Sequence, residues 1–311
     1  MLTHRTLERM DELPPTEAAN PSTADLDALD TRALLVRINA EDRLAAAAVE
    51  RALDGLSAAV DAVASCLQSG GRLHYFGAGT SGRLGVLDAA ELPPTFSTDP
   101  SLVVAHIAGG DAALTRAVEG AEDDAEAGRA EVAASRIGPS DVALGLSASG
   151  SAPYVIAAIE ASAARGALTI GITSDPRGAL ARAVAIAIVL ETGAEALTGS
   201  TRMKAAAAQK MALTALSTAV MVRLGKVYRN LMVDVAPTNR KLRARALRLT
   251  QLASGASAED AARALDESGG RVKIAAYMLA RGVDAARARD ALERSGGSLR
   301  GALELTADSQ P

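Results

Sequence analysis

Five short apolar runs constrain the fold of this chain more than any other feature of its sequence. They cover residues 73–76, 102–107, 142–146, 168–172 and 184–190, each bounded by Gly, Ser, Thr or Asp and separated by helix-like stretches. Strands that are nearly continuously apolar and alternate with helices are typical of a parallel sheet covered on both faces. The pattern therefore predicts an α/β protein with a five-stranded parallel sheet flanked by helices.

The chain is expected to divide into three parts. Residues 1–30 are rich in Pro, Asp, Thr and Asn, which suits an extended arm without regular structure. Residues 31–245 are expected to form the α/β domain, which begins with N-terminal helices. A small all-helical module is predicted over 250–303, because a helix, a Ser-Gly-Gly turn and a second helix occur there twice, with the turns at 268–270 and 295–297.

Composition argues against several classes of protein. The 33 Lys and Arg against 37 Asp and Glu leave a net charge of -4, with no basic excess for binding nucleic acid. One cysteine and three scattered histidines supply no metal-ligand spacing, so neither a metal nor a cofactor is expected. The longest apolar run, 183–190, is shorter than the roughly 20 residues of a membrane span, and the N-terminus does not resemble a secretory signal. We therefore expect a cytoplasmic protein without a nucleic-acid or membrane partner.

The loops that follow the first and third apolar runs form the predicted phosphate site. In parallel sheets, ligands bind at the carboxyl ends of the strands, and a helix N-terminus offers backbone N–H groups to an anion. Both loops carry hydroxyl groups and precede a predicted helix; their candidate binding residues are Gly79, Thr80, Ser81, Ser147, Ser149 and Gly150. Hydroxyl residues at a single loop are more often helix caps only, whereas two matching loops favour a shared site.

Two groups of carboxylates are candidates for proton transfer. Glu91 stands just before a Leu-Pro-Pro sequence, and because proline disfavours helical backbone in its predecessor, the helix after the first loop is expected to end there. The negative end of a helix dipole favours a protonated carboxyl group, so Glu91 is a candidate proton donor, with a solvated surface group as the alternative. An acidic run over 119–126 offers a base. Spacing does not choose among its members, although Glu119 and Glu122 are expected to share a helix face.

The segment 199–204 is predicted to cap a long helix that follows it. It carries two cations, Arg202 and Lys204. These side chains have two open roles, contact with a substrate anion or simple exposure to solvent.

Four longer segments resemble one known family. They are GAGTSGRLGVLDAAELPPTF at 77–96, AVEGAEDD at 117–124, GAEALTGSTRMK at 193–204 and GKVYRNLMVDV at 225–235. These segments resemble the N-acetylmuramic acid 6-phosphate etherases, which are bacterial enzymes built on a sugar isomerase (SIS) domain. The resemblance spans nearly the whole chain, including the C-terminal helices, which are similar to ubiquitin-associated-type modules.

The resemblance implies a lyase. In this family the ether between carbon 3 of the sugar and D-lactate is broken by elimination followed by hydration, which gives N-acetylglucosamine 6-phosphate and D-lactate during recycling of cell-wall amino sugars. The motifs imply Glu91 as the acid and Glu122 as the base, in a homodimer that needs no cofactor. The hydroxyls at the family's phosphate-binding positions are those of Thr80, Ser81, Ser147 and Ser149.

The chain departs from the family pattern beside two of these motifs. Ser151 and Ala152 stand where the family commonly has Arg and Thr, so one cation and one hydroxyl are missing near the phosphate. Ala90 and Leu92 replace the usual Ser and Cys around Glu91. Weaker substrate binding or a shifted phosphate is therefore expected.

Three other functions stay open. A catalytically silent sugar-phosphate receptor, like the related glucokinase regulatory protein, would use the same domain, as would an aldose–ketose isomerase. A nicotinamide dehydrogenase would use the Gly-x-Gly-x-x-Gly pattern of the first loop. The second strand, however, ends in Ala108-Gly109-Gly110, where a dinucleotide site places an acidic residue for the ribose, so this function fits poorly.

Overall fold

The computed structural model describes residues 13–235, 237 and 239–305. Within them the chain forms two compact units. The first contains 13–89 and 101–217, and the second contains 90–100 and 218–305. The second unit thus begins well before the helical module predicted at 250–303 and takes in a short segment from the middle of the chain.

The first unit is built on one sheet, and the predicted five-stranded parallel sheet is confirmed. Its strands, in chain order, are β1 (Leu73–Gly77), β2 (Val103–Ile107), β3 (Val142–Leu146), β4 (Leu168–Thr173) and β5 (Ile186–Val189). They lie in the order β2-β1-β3-β4-β5, all parallel. Because β2 lies on one side of β1 and β3 on the other, the chain reverses direction across the sheet at β1. Such a reversal opens a crevice where ligands bind in α/β sheets.

Helices surround this sheet and supply its core. They are α1 (Thr31–Arg51), α2 (Leu53–Gln68), α3 (Gly79–Phe96), α4 (Ala112–Thr115), α5 (Ala125–Ala134), α6 (Pro153–Ala164), α7 (Ala179–Ala183) and α8 (Lys204–Arg223). Every residue of β1 and β3 is buried, as expected for central strands covered on both faces. On one face Phe76 packs in a cluster with Val132, Tyr154 and Ile159.

The N-terminal arm has more order than its composition predicts. Three short 3-10 helices occupy Pro15–Glu17, Pro21–Thr23 and Leu26–Ala28, so the expectation of no regular structure is wrong for this stretch; residues 1–12 lie outside the described part of the chain. A proline opens each of the first two helices with its backbone angle preset for a helical turn. The Asn20 side-chain amide also donates to Glu41 Oε2 at 2.8 Å, which ties the arm to α1.

Helix α3 does not end at Glu91, so that prediction is wrong. It continues through Pro93 and Pro94 to Phe96, and Ser97 then adopts a left-handed φ of 50°. A proline inside a helix costs about 3 kcal/mol. Leu92 and Phe96, one turn apart, are both buried at 4% and 7% exposure, and burial of a large apolar side chain is worth about 1.5–3 kcal/mol. Burial of these two side chains, about 3–6 kcal/mol together, therefore offsets most of the cost of the two prolines, about 6 kcal/mol.

The second unit is helical after residue 239. Its helices are α9 (Arg240–Ser254), α10 (Ala258–Glu267), α11 (Val272–Arg281), α12 (Ala285–Arg294) and α13 (Leu299–Glu304). The repeated turn is confirmed, since both glycines of each Ser-Gly-Gly sequence have positive φ. In each copy the serine hydroxyl donates to a carbonyl of the preceding helix, Ser268 to Leu265 and Ser295 to Leu292, both at 2.9 Å.

One helix in the described residues, α8, has the length and apolar composition to cross a membrane. Its apolar stretch is 56% buried inside the protein, as is usual for a core helix of a water-soluble domain. Length and composition alone do not make this helix a membrane span.

A buried histidine pair links β1 and β2. His74 Nδ1 lies 3.1 Å from His106 Nε2, and His106 Nδ1 lies 3.1 Å from Glu131 Oε2. The Glu131 carboxylate can only accept, so His106 Nδ1 carries the proton and donates to it. His106 Nε2 is then free of a proton and accepts from His74 Nδ1. The other ring nitrogen, His74 Nε2, has no partner among the described residues. Protonation would put an unsatisfied N–H at that buried nitrogen. Burial accordingly lowers the pKa of His74 from 6.5 to about 4, and repulsion from Arg72, and from His106 whenever it is protonated, acts in the same direction.

We expect acid to destabilise the fold through His74. Above pH 6.5 this side chain is neutral in both states; between 6.5 and 4 only the unfolded chain takes the proton, so the free energy of unfolding falls as pH falls. The loss between pH 7.5 and 5 is about 2 kcal/mol from this residue. Urea unfolding of the unmutated protein and of His74→Phe at both pH values measures the loss in free energy of unfolding. This loss should be smaller in the variant. Equal losses would contradict this role.

Candidate active site

A cavity of about 380 Å³ opens at the carboxyl ends of β1 and β3, where the strand order reverses. It lies within the first unit. The residues lining it are Glu17, Ala78, Gly79, Thr80, Ser81, Glu122, Asp123, Leu146, Ser147, Ala148, Ser149, Ser151, Ala152, Pro153, Gly199 and Thr201. The two loops singled out from the sequence thus share one cavity.

The first loop runs directly into α3. A Cβ atom on Gly82 would lie 2.7 Å from the Gly77 carbonyl oxygen, so the turn from strand to helix is tight enough to require glycine. Gly79 begins the helix with a φ of 53°. The first N–H groups of α3 lack partners within the helix, as at any helix N-terminus, and lie beside the hydroxyls of Thr80 and Ser81.

The second loop places three serine hydroxyls between β3 and α6. Ser147 is buried, and its Oγ accepts from the Gly150 N–H at 3.1 Å. Ser149 Oγ lies 2.7 Å from Ser151 Oγ. Gly150 does not line the cavity; with φ at 68°, and with Thr173 Oγ1 only 2.8 Å from where its Cβ would lie, it supports the turn instead.

Among the candidate bases, Glu122 lines the cavity and Glu119 does not. The expectation that these two share a helix face is wrong. Gly120 takes a left-handed φ of 72°, and only a short 3-10 helix, Ala121–Asp123, follows it. Asp123 joins Glu122 at the cavity, whereas Asp124 caps α5 by accepting from Ala127 N–H at 2.9 Å. Tertiary structure therefore separates carboxylates that spacing left equivalent.

Glu91 is not among the residues that line this cavity. It is exposed and stands about three turns beyond Ser81 along α3, in the segment that belongs to the second unit. Since five more residues of α3 follow it, the dipole argument for Glu91 as a proton donor loses its premise. The family motif is the remaining reason to assign it a role.

Sequence reasoning missed Glu17 and Gln209. Glu17 comes from the N-terminal arm and lines the cavity near Gly199; its carboxylate oxygen lies 3.0 Å from where a Cβ on that glycine would be. Gln209 lies on α8 and accepts a hydrogen bond from Ser81 Oγ at 2.7 Å. Neither residue belongs to a local motif that signals its partner, because both contacts join distant parts of the chain.

The two cations at the start of α8 take different positions. Arg202 is exposed, whereas Lys204 neither contacts the cavity nor lies in solvent; it is 2% exposed, with Nζ 2.5 Å from Glu41 Oε2. The helix is capped by Glu195, whose carboxylate accepts from the Lys204 and Ala205 N–H groups at 3.0 and 2.9 Å. Burial raises the pKa of Glu195, and these N–H groups oppose that shift.

The cavity therefore combines hydroxyls and helix-terminal N–H groups with carboxylates. Of the described residues that line it, none is Lys or Arg, so an anion bound there would be held by neutral donors. A carboxylate such as Glu122 in the same cavity can accept a proton from a bound molecule. This arrangement suits acid–base chemistry on a compact phosphorylated ligand.

Two family models and several solved structures match parts of this chain. The family model described as the glucokinase regulatory protein N-terminal SIS domain matches residues 55–163, and the SIS domain model matches residues 123–219. Among solved structures, a phosphoheptose isomerase from Francisella tularensis is 20% identical with a TM-score of 0.48, over 60% of this chain and 98% of that one.

Three curated relatives match far more closely, and each is an N-acetylmuramic acid 6-phosphate etherase. The Deinococcus radiodurans protein is 54% identical over 85% of this chain and 87% of its own length. The Thermobifida fusca protein is 52% identical over 85% of this chain and 86% of its own length. The protein of Enterobacter sp. strain 638 is 50% identical over 93% of this chain and 97% of its own length. On this evidence the chain belongs to the N-acetylmuramic acid 6-phosphate etherase family.

Proposed function

We propose that this protein is a carbon–oxygen lyase that converts N-acetylmuramic acid 6-phosphate and water to N-acetylglucosamine 6-phosphate and D-lactate, in the recycling of cell-wall amino sugars. The observation that carries the proposal is the cavity in which Glu122 and the two hydroxyl-bearing loops come together. The close identity to etherases over most of the chain supports the choice of substrate.

The 6-phosphate would bind between the two loops. Neutral donors can hold a phosphate at this point because the N–H groups at the start of α3 and the positive end of its dipole favour an anion. The missing Arg at position 151 removes a charge-assisted contact, which is worth about 1.5–3 kcal/mol of binding. Ser151 supplies a hydroxyl in the same wall of the cavity and offsets part of that loss.

Glu122 would act as the base. After the sugar ring opens, the hydrogen on carbon 2 lies next to an aldehyde and is acidic enough for a carboxylate to remove it. The electrons of the carbon 2–hydrogen bond are first held as an enolate by the aldehyde. They then form a double bond between carbons 2 and 3 as the bond from carbon 3 to the lactate oxygen breaks. The family motif assigns protonation of that departing oxygen to Glu91, although this side chain does not line the cavity. Water then adds at carbon 3, and the proton returns to carbon 2.

We also propose a cytoplasmic homodimer. Two adjacent exposed apolar side chains on α1 support a protein–protein contact there, since Leu35 and Val36 are 60% and 56% exposed. With a single cysteine, Cys66, the chain has no internal disulfide that would require an oxidising compartment.

The test is direct incubation of the purified protein with N-acetylmuramic acid 6-phosphate. We expect D-lactate and N-acetylglucosamine 6-phosphate to form in equal amounts. An enzymatic assay measures the D-lactate, and mass spectrometry measures the sugar phosphate. Binding of the substrate without lactate release would instead favour a sugar-phosphate receptor, and a ketose product without lactate would favour an isomerase. Either result would overturn the proposal.

A further inference from the structure

The side chain of Gln209 has a buried polar atom without a partner beside the proposed phosphate site. Gln209 lies on α8 and is fully buried at 0% exposure. Its Oε1 accepts a hydrogen bond from Ser81 Oγ at 2.7 Å, whereas its Nε2 has no hydrogen-bond partner among the described residues. A buried amide nitrogen without an acceptor is rare in native proteins and calls for an explanation.

The direction of the Ser81–Gln209 bond matters for phosphate binding. A serine hydroxyl has one proton to donate, and here that proton is directed at Gln209 Oε1. A phosphate dianion offers only acceptors. Ser81 therefore cannot donate to a phosphate while its hydroxyl proton points at Gln209 Oε1.

A half-turn of the Gln209 amide removes this conflict and gives Nε2 an acceptor; Oε1 then takes the unpartnered position, and a carbonyl oxygen without a donor is less unfavourable there than an N–H without an acceptor. The half-turn would place Nε2 at the position from which Oε1 now contacts Ser81, so the amide would donate to the serine oxygen. The serine proton would then be free to be donated to a phosphate oxygen. Two consecutive hydrogen bonds, from the amide to the hydroxyl and from the hydroxyl to the phosphate, would run in the same direction, and such a chain strengthens each of its bonds.

We propose that Gln209 is a positioning residue for the substrate phosphate, acting through the direction of the Ser81 hydroxyl. In this proposal the amide nitrogen, and not the amide oxygen, faces Ser81 when a phosphate is bound. This inference rests on the proposed function only in that it takes a sugar phosphate as the ligand of the cavity.

Two substitutions of similar size test the proposal. Gln209→Met removes the amide. This variant should raise the Kd for N-acetylglucosamine 6-phosphate about tenfold, because the Ser81 hydroxyl is no longer oriented to donate to the charged phosphate. Gln209→Glu keeps an acceptor but no donor and adds negative charge behind Ser81, so it should raise the Kd further. Isothermal titration of the full-length protein measures both values, and thermal unfolding checks that each variant is folded.

Two controls separate positioning from a general structural effect. Ser217→Ala removes another buried hydrogen bond of α8, the one that Ser217 Oγ makes with Asp88 Oδ1 at 3.0 Å, and should leave the Kd unchanged. In a Ser81→Ala background the Gln209→Met change should have no further effect on the Kd, because the hydroxyl that it orients is absent. In turnover assays Gln209→Met should raise KM with kcat nearly unchanged.

An unchanged Kd in Gln209→Met and Gln209→Glu would overturn the proposal. So would an equal loss of affinity with and without the Ser81 hydroxyl. Failure of the unmutated protein to release lactate would overturn the lyase assignment alone, because this titration requires only binding of the sugar phosphate.

Discussion

Glu122→Gln is expected to lose both D-lactate release and exchange of the carbon 2 proton with deuterated water, each by about 10²–10⁴-fold. The amide keeps the size of the side chain that lines the cavity but cannot take a proton at neutral pH. Lactate release is followed by enzymatic assay, and exchange by mass spectrometry of recovered substrate. Because elimination starts with loss of that proton, both measurements should fall together.

The matched variant Glu91→Gln should separate the two steps. If Glu91 donates the proton to departing lactate, its loss slows bond cleavage but leaves Glu122 able to exchange the carbon 2 proton. Glu119→Gln is the control, since this exposed carboxylate does not line the cavity and its loss should change neither rate. Normal exchange by Glu122→Gln would place the base elsewhere, with Glu17 and Asp123 the next candidates because they line the same cavity.

Lys204→Met is expected to destabilise the fold by about 3–5 kcal/mol, as is typical when one member of a buried ion pair is removed. Lys204 Nζ lies 2.5 Å from Glu41 Oε2, and the two side chains are 2% and 10% exposed. Without the ammonium group, the Asn20 amide is the one remaining donor to the buried Glu41 carboxylate within residues 13–235, 237 and 239–305. Urea unfolding followed by circular dichroism measures the loss.

A double substitution identifies the cause of that loss. Glu41→Gln in the Lys204→Met background removes the stranded charge while the new amide oxygen can still accept from Asn20. The double variant should recover much of the lost stability, which would give a large coupling free energy between the two positions. A double variant no more stable than Lys204→Met would show that packing, and not charge burial, dominates at this site.

The sheet and its two hydroxyl-bearing loops were predictable because they depend on local patterns. The apolar runs of β1 and β3 are buried whichever elements of the fold cover them. Glycine and hydroxyl residues that directly follow a strand must lie at its carboxyl end. The end of α3 was not predictable in this way. Local backbone preference favours a stop before Pro93, but burial of Leu92 and Phe96 carries the helix onward, and no local pattern reports that burial.

The sequence by itself determined the fold class, the two hydroxyl-bearing loops, the paired Ser-Gly-Gly turns and, through its motifs, the family. Tertiary structure decided which carboxylates share the cavity, that Gln209 meets Ser81 from 128 positions away, and that Lys204 is paired with Glu41 across 163 positions. The reason is physical. Strand and turn preferences act between near neighbours in the chain, whereas burial, charge pairing and hydrogen-bond direction are set by atoms that become neighbours only when the chain has folded.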